Sequence, residues 1–305
     1  MTTSMAVFLL RRALAGVLFV VVVSTSALVL ARVMPGDATS ELVVSGADRA
    51  TVEAARLRLG LDQPVHVQVA KWFAGLARFD LGQSSRFNRP VSELVGGRMV
   101  RTASLAALAL LLATMIGVPL GILTGARPRG WLARCVAPIS TAFIACPPII
   151  AAFGLLFVAV STGALSIAPG SYAVPTLALA LPIAAGLERL QAQATEEVMM
   201  GVDLSAATAR GIPPSRLVWV HAARQALRPV LGIYGIVIGS LFSGSLAVEV
   251  VTSWPGLGRL TYDALVSRDL FLLAGCALAG ASFIAIGNLI ADLLRALVDP
   301  RVREA

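Results

Sequence analysis

Long uncharged runs alternate with short polar links along this chain. Ala13–Ala31 carries no charge over 19 residues, about 28 Å as a helix, enough to cross the hydrocarbon core of a bilayer. Five further apolar runs follow, at about Thr102–Ala126, Cys135–Val160, Tyr172–Leu187, Val230–Val251 and Phe271–Leu294. The pattern predicts an all-α integral membrane protein with six transmembrane helices. Between the first two runs lies a mixed-charge segment that holds nine basic and seven acidic residues up to Arg101. It has helical patterns near Ala50–Leu59 and Val65–Phe79, with turn signals at Gly60, Pro64, Gly82 and Pro90. A small cap outside the membrane is expected there.

Charge sets the expected orientation. Arg11 and Arg12 precede the first run, and Arg127, Arg129 and Arg134 fill the link between the second and third. The link over 161–171 has no charge, whereas the next holds Arg189, Arg210, Arg216, Arg224 and Arg228, and the tail holds Arg295, Arg301 and Arg303. Cytoplasmic segments collect arginine and lysine, so both termini and the basic links are expected in the cytoplasm. The expected division is an anchor helix over 1–34, an extracytoplasmic segment over 35–97, a five-helix core over 98–298 with a cytoplasmic loop at about 190–228, and a cytoplasmic tail over 299–305. A cleaved signal peptide is the alternative for the first run. That run exceeds the usual ~7–15 apolar residues and has no clear A-x-A site, which favours a retained anchor.

Composition agrees. The 305 residues are 57% apolar and 14% charged, against roughly 25% charged in soluble domains. The net charge of +8 is carried by arginine, Lys71 being the single lysine. It sits beside the apolar runs, so lipid and topology account for it and no nucleic-acid partner is expected. Cys135, Cys146 and Cys276 lie singly in apolar runs, with no metal or disulfide spacing.

Catalytic chemistry is sparse. The two histidines, His66 and His221, are far apart, and no phosphate-binding loop surrounds Lys71. No metal, cofactor or catalytic residue is expected, and the chain does not read as an enzyme. Uphill transport would need an ion gradient or a motor on another subunit. Ion-coupled carriers place ionisable groups well inside spans. Here the candidates, Glu249 and Asp292, lie towards span ends, which favours the external motor.

Gly117, Gly121 and Gly125 recur every fourth residue in the second run, as do Gly235, Gly239 and Ser243 in the fifth. Such small faces let helices approach closely in lipid. Pro147 and Pro148 interrupt the third run, as a kink or as the wall of a wet cavity. Ser243 and Glu249 are further candidates for a pore wall. The most informative stretch is Asp203–Pro229. A short helix is expected in it, capped by Asp203, with Ser205, Ala206 and Ala207 in one turn, and stopped by Gly211 ahead of Pro213 and Pro214. A two-turn helix is unstable alone, so it must dock. It is either a plug that another protein grips or a basic loop held by lipid headgroups.

These residues resemble a known family over essentially the whole chain. The matching elements are MPGD (Met34–Asp37), RLRLGLDQPVHVQVAKW (Arg56–Trp72), FDLGQS (Phe79–Ser84) and RPV (Arg89–Val91). GVPLGILTG (Gly117–Gly125), ATARG (Ala207–Gly211), HAARQALRPVL (His221–Leu231), SWPGLGRL (Ser253–Leu260) and DPRVR (Asp299–Arg303) follow in order. The chain resembles the first permease subunit of type I ABC importers of the dipeptide, oligopeptide and nickel group. The resemblance implies a bacterial plasma-membrane location and a pore shared with a second, homologous permease. It also implies two ABC ATPase subunits and an extracytoplasmic solute-binding protein. The loop resembles the family's coupling signature, with Ser205 where the signature has glutamate, Ala206 and Ala207 at its alanines, and Gly211 at its glycine. Asp203 and Arg210 complete the expected coupling set. SWPGLGRL is expected to form a tight outer turn, with Trp254 in the interfacial belt. Trp254, Pro255, Gly256 and Gly258 are its gate candidates, and a pure anchor role is the alternative. Glu196 and Glu197 depart from the basic residues common early in the family's loop.

Overall fold

A computed structural model describes residues 2–33, 39, 46–58, 62–78, 80–168 and 170–298. The expected turn over 34–37, Gly60 and the tail over 299–305 lie outside them. The regular elements found are helices. The first apolar run is α1 (Thr2–Val33), and α2 (Arg49–Arg58) and α3 (Val65–Leu76) lie in the mixed-charge segment. Then come α4 (Val91–Ala126), α5 (Trp131–Ala145), α6 (Pro148–Thr162), α7 (Ala173–Met199) and the short α8 (Val202–Ala209). The last three are α9 (Pro214–Val251), α10 (Leu257–Val266) and α11 (Leu270–Val298). Five of these, α1, α4, α7, α9 and α11, are long and apolar enough to cross a membrane, and the bent pair α5–α6 makes six if it counts as one span.

The helices outrun the apolar runs. α7 continues through Arg189, Gln191 and Glu196, and α9 begins at Pro214, well ahead of Val230. Arginine, glutamine and glutamate are good helix formers. The apolar pattern therefore ends where the chain leaves lipid, while the helix goes on.

The chain divides into two compact units. One comprises Arg11–Ala103 and Pro255–Ile286. In it α1 packs through a narrow stripe, with Gly16 against Ala285 and with Ser24 and Leu28 buried. Leu14, Val17, Leu18 and Val22 are exposed, as an anchor in lipid requires. Residues 80–91, from the FDLGQS and RPV segments, form a hairpin-like turn. Asp80 accepts from the Gly82 N–H at 2.9 Å, Gly82 has φ +80°, and the Val91 N–H reaches the Gly82 carbonyl at 3.0 Å. Asp269, 1% exposed, holds this turn: Oδ2 accepts from the Ser84 hydroxyl at 2.6 Å and the Arg86 N–H at 3.2 Å. Its Oδ1 accepts from the Leu272 N–H at 3.1 Å, making it the N-cap of α11. Trp72 stacks on Phe271 at 6.4 Å.

The other unit comprises Met1–Leu10, Ser104–Trp254 and Gly287–Ala305. Its centre is the contact between α4 and α7. A Cβ at Gly117 would lie 2.5 Å from the Ala184 carbonyl oxygen, and one at Gly121 would lie 2.6 Å from that of Glu188. One at Gly125 would be closer still to that of Ala192. Both series advance together, so the two helices run parallel with their backbones touching. Ser104, part-way along α4, and Tyr172, the N-cap of α7, hydrogen-bond at 3.0 Å.

Parallel neighbours require the intervening chain to return to the starting end. α5 and α6 make that return. Each has 15 residues, about 22 Å, too short to cross a ~30 Å core alone. Together they are long and apolar enough for one span, bent by 111° at Cys146–Pro147. Pro148 starts α6 at a position where a missing N–H costs nothing. The expected count of six is met when this sharply broken pair is taken as the third span. α9 runs antiparallel to α7: Tyr234 bonds Thr114 at 2.8 Å, and Gly244 lies against Leu179 and Pro148.

Several expectations need correction. In α9 only Gly235 of the expected small face is buried; Gly239 has nothing within 4 Å of a Cβ and Ser243 is exposed. Gly244 sits against the side chains of Pro148 and Leu179 at ordinary contact distance. One residue turns a helix by about 100°, which puts 239 and 243 on a different side. SWPGLGRL is not a simple turn. Ser253 takes the left-handed conformation (φ +54°), Gly256 is the extended N-cap, and Gly258 already lies in α10. Trp254 is 2% exposed, packed in the core with its ring 4.4 Å from that of Tyr172, so it does not belong to an interfacial belt.

Candidate functional site

The loop singled out in the sequence lies at one end of the second unit. α7 ends at Met199, Gly201 leads into α8, and α8 runs Val202–Ala209. Asp203 is the second residue of α8 and not its cap, because the helix starts two residues earlier than expected. By position it still lies in the first turn, where a negative charge suits the helix dipole. The C-terminal end fits the expectation. Gly211 has φ +80°, and the Ile212 N–H donates to the Ala207 carbonyl at 3.4 Å, closing the six-to-one bond of a Schellman motif.

α8 docks on its own chain. Leu204 and Ala207, 3% and 6% exposed, pack with Leu217 and Ala222, and Val198, Met199 and Ile212 close the cluster. Val202 (84% exposed) and Ala209 are exposed. Helical spacing puts positions 205 and 206 on the side of 202 and 209, opposite 204 and 207. The floor beneath α8 is unusual: Leu217–Ala222 is π-helical, and the Ala223 N–H reaches the Val218 carbonyl five residues back. π-Helical turns cluster at functional sites. Arg210 is exposed, and Arg216, Arg224 and Arg228 follow along the start of α9.

The sequence pattern passes over Glu188, because the fourth apolar run ends at Leu187. Glu188 is 3% exposed and sits inside α7. Oε1 accepts from Thr124 of α4 at 2.7 Å and Oε2 from Ser140 of α5 at 2.7 Å. One carboxyl group thus ties three helices, including the first half of the broken span. Gln191 and Thr195, both fully buried, continue the polar stripe and bond each other at 3.1 Å. Positions 188, 191 and 195 repeat at helical spacing, a signal the sequence does carry. Glu188→Ala should lower stability by about 2–4 kcal/mol, through lost bonds and an unfilled space. Glu188→Gln, which keeps the volume and one carbonyl acceptor, should lose less than half of that in thermal unfolding in detergent. An alanine variant as stable as the parent would show that Thr124 and Ser140 bond their own helix carbonyls equally well.

The remaining candidates are dispersed. Glu249 is fully buried, so its own chain encloses it and it presents nothing to a lumen. Asp292 is 8% exposed. Trp254, Gly256 and Gly258 are buried and Pro255 is half-buried. Pro147 and Ser243 are exposed, while Pro148 packs on Gly244.

Two family models divide the chain between them. The binding-protein-dependent transport system inner membrane component matches residues 117–304, and the N-terminal model of the same transport systems matches residues 5–106. The chain is 30% identical to the oligopeptide transport system permease protein AppB of Bacillus subtilis over 316 aligned positions, covering 98% of this chain and 99% of the relative. It is 29% identical to the glutathione transport system permease protein GsiC of Salmonella paratyphi A, covering 97% and 98%. These matches run from α1 to α11 and include the α4 glycines, the broken span and the docked α8. The chain belongs to the binding-protein-dependent transport system inner membrane component family, as a multi-pass permease subunit of an ABC importer of the bacterial inner membrane.

Proposed function

We propose that this permease forms half of a translocation pore for peptides or similar small solutes, paired with a second, homologous permease. An extracytoplasmic binding protein delivers the solute, and two ATPase subunits drive the pore through α8. Both termini and the α8 end lie in the cytoplasm, as the distribution of arginine requires.

The observation that carries this reading is the two-sidedness of α8. One side is fastened to α9 and the end of α7 through Leu204 and Ala207, while Val202 and Ala209 stay exposed. A helix so fastened transmits a push on its outer side to two spans at once. Ser205, where the family signature has glutamate, changes the polar contact available on that side without removing the docking. Pro147 and Ser243, with open space beside Gly239, serve as pore wall or as contact with the second permease. The names of the relatives support peptide as the substrate class and do not favour the ion-coupled carrier.

Crosslinking tests the coupling. Val202→Cys, in a chain whose three native cysteines are replaced, should join to a single-cysteine ATPase subunit in the assembled transporter. ATP should change the yield. Reaction of the introduced thiol with lipid-soluble maleimides alone, and never with the ATPase, would overturn the reading.

A further inference from the structure

Beside the docked helix lies a cavity of about 500 Å³ that the coupling reading does not use. It falls in the roughly 300–1,000 Å³ range of small-ligand sites. Four segments form it: the end of α4 with its following turn, the start of α5, the end of α7 at Met199, and the start of α9 with its π-helical turn. The walls are apolar, with Leu132, Met199 and Leu217 inside and Trp131 and Trp219 at the mouth. Trp131 is 77% exposed and Trp219 47%. Arg127 is the one charged residue of the lining; it is exposed and forms no ion pair among the described residues.

We propose that this groove binds an anionic phospholipid, with an acyl segment against Leu132, Met199 and Leu217 and the headgroup phosphate on Arg127. Three observations favour lipid over a water-soluble partner. The groove opens where α4 leaves its apolar run at Ala126, at headgroup depth. Exposed tryptophans flank it, as they do at membrane interfaces. The charge on the α4, α5 and α9 sides is basic: Arg129, Arg134 and Arg216 are exposed nearby in sequence, while Glu196 and Glu197 stand on the last turn of α7. Basic pockets between spans bind anionic headgroups on the same physical basis. Leu217 and Met199 serve two sites, since they also contact α8. A lipid in the groove therefore buttresses the floor on which α8 rests.

Tryptophan quenching by brominated lipid reads the site directly. Trp72 and Trp254 are each only 2% exposed, so Trp131 and Trp219 report on lipid. The full chain is placed in phosphatidylcholine nanodiscs with brominated phosphatidylglycerol or brominated phosphatidylcholine at equal mole fraction. Brominated phosphatidylglycerol should quench more at low fraction and saturate. The excess should vanish in the Trp131→Phe, Trp219→Phe double variant. Arg127→Gln should weaken the excess roughly fivefold, the share of one cation near a membrane surface, and Arg127→Lys should keep most of it. Equal quenching by the two lipids overturns the proposal, as does an excess that survives Arg127→Gln. Quenching by neither lipid also overturns it, and marks the groove as a face covered by protein.

Discussion

Gly121→Val should leave no folded permease to purify. A Cβ at this position would stand 2.6 Å from the Glu188 carbonyl oxygen, 2.7 Å from the Gln191 Cβ and 3.0 Å from the Ala192 nitrogen. Two of those atoms are helix backbone, so no side-chain rotation relieves the clash. α4 and α7 must separate, and the contacts of Gly117 and Gly125 separate with them. In lipid no hydrophobic force draws the helices back, because the bilayer is as apolar as their surfaces. The separation also stretches the 2.7 Å bond from Thr124 to Glu188. Overpacking a core costs about 1–3 kcal/mol when side chains can shift. Here the backbone must shift and a buried bond goes with it, so the total approaches the whole stability of a typical domain. The measurement is yield of a monodisperse peak in mild detergent, beside Gly239→Val, where a Cβ meets nothing within 4 Å. Gly239→Val should purify normally. Equal yields from the two variants would remove the α4–α7 contact from the account of this fold.

The same glycines show how much of the architecture was legible in the sequence. Their spacing announced a close contact on α4 because small residues at every fourth position have few other uses in a membrane. The spacing could not name the partner. The matching face of α7 contains Ala184, Glu188 and Ala192, and a glutamate does not look like a packing residue until its hydroxyl donors are known. Those donors, Thr124 and Ser140, come from helices 64 and 48 residues away. In α9 the same reasoning chose 235, 239 and 243, yet only Gly235 of the three is buried, because several small residues compete there and packing alone selects among them. Pro147–Pro148 revealed that the third span breaks. The size of that bend, 111°, is recorded in no local pattern. Trp254 misled for a related reason. An isolated tryptophan beside proline and glycine suits a membrane interface, but Tyr172, distant in sequence, covers it. In α8, Gly211 was readable from local chemistry alone, since a positive φ at a helix end calls for glycine.

Ala207→Arg should abolish uptake while leaving membrane insertion intact. Ala207 is 6% exposed and faces the cluster of Leu204, Leu217 and Ala222. Arginine there must either bury an unpaired guanidinium or lift α8 off α9, and the first option costs far more. Once lifted, a helix of eight residues does not persist, because its nucleation cost exceeds what so few hydrogen bonds return. The Ile212 to Ala207 bond that closes its end is lost with it. The six spans do not depend on this contact, so the protein should still insert and purify. Ala209→Arg provides the contrast. It lies on the exposed side, where a bulky cation obstructs a partner and leaves α8 fastened. Both variants should lose transport, but hydrogen exchange separates them: the amides of residues 204–209 should exchange rapidly in Ala207→Arg and stay protected in Ala209→Arg. Normal uptake by Ala207→Arg, measured with the binding protein and ATPase subunits present, would mean that force reaches the spans by some route other than this docked helix.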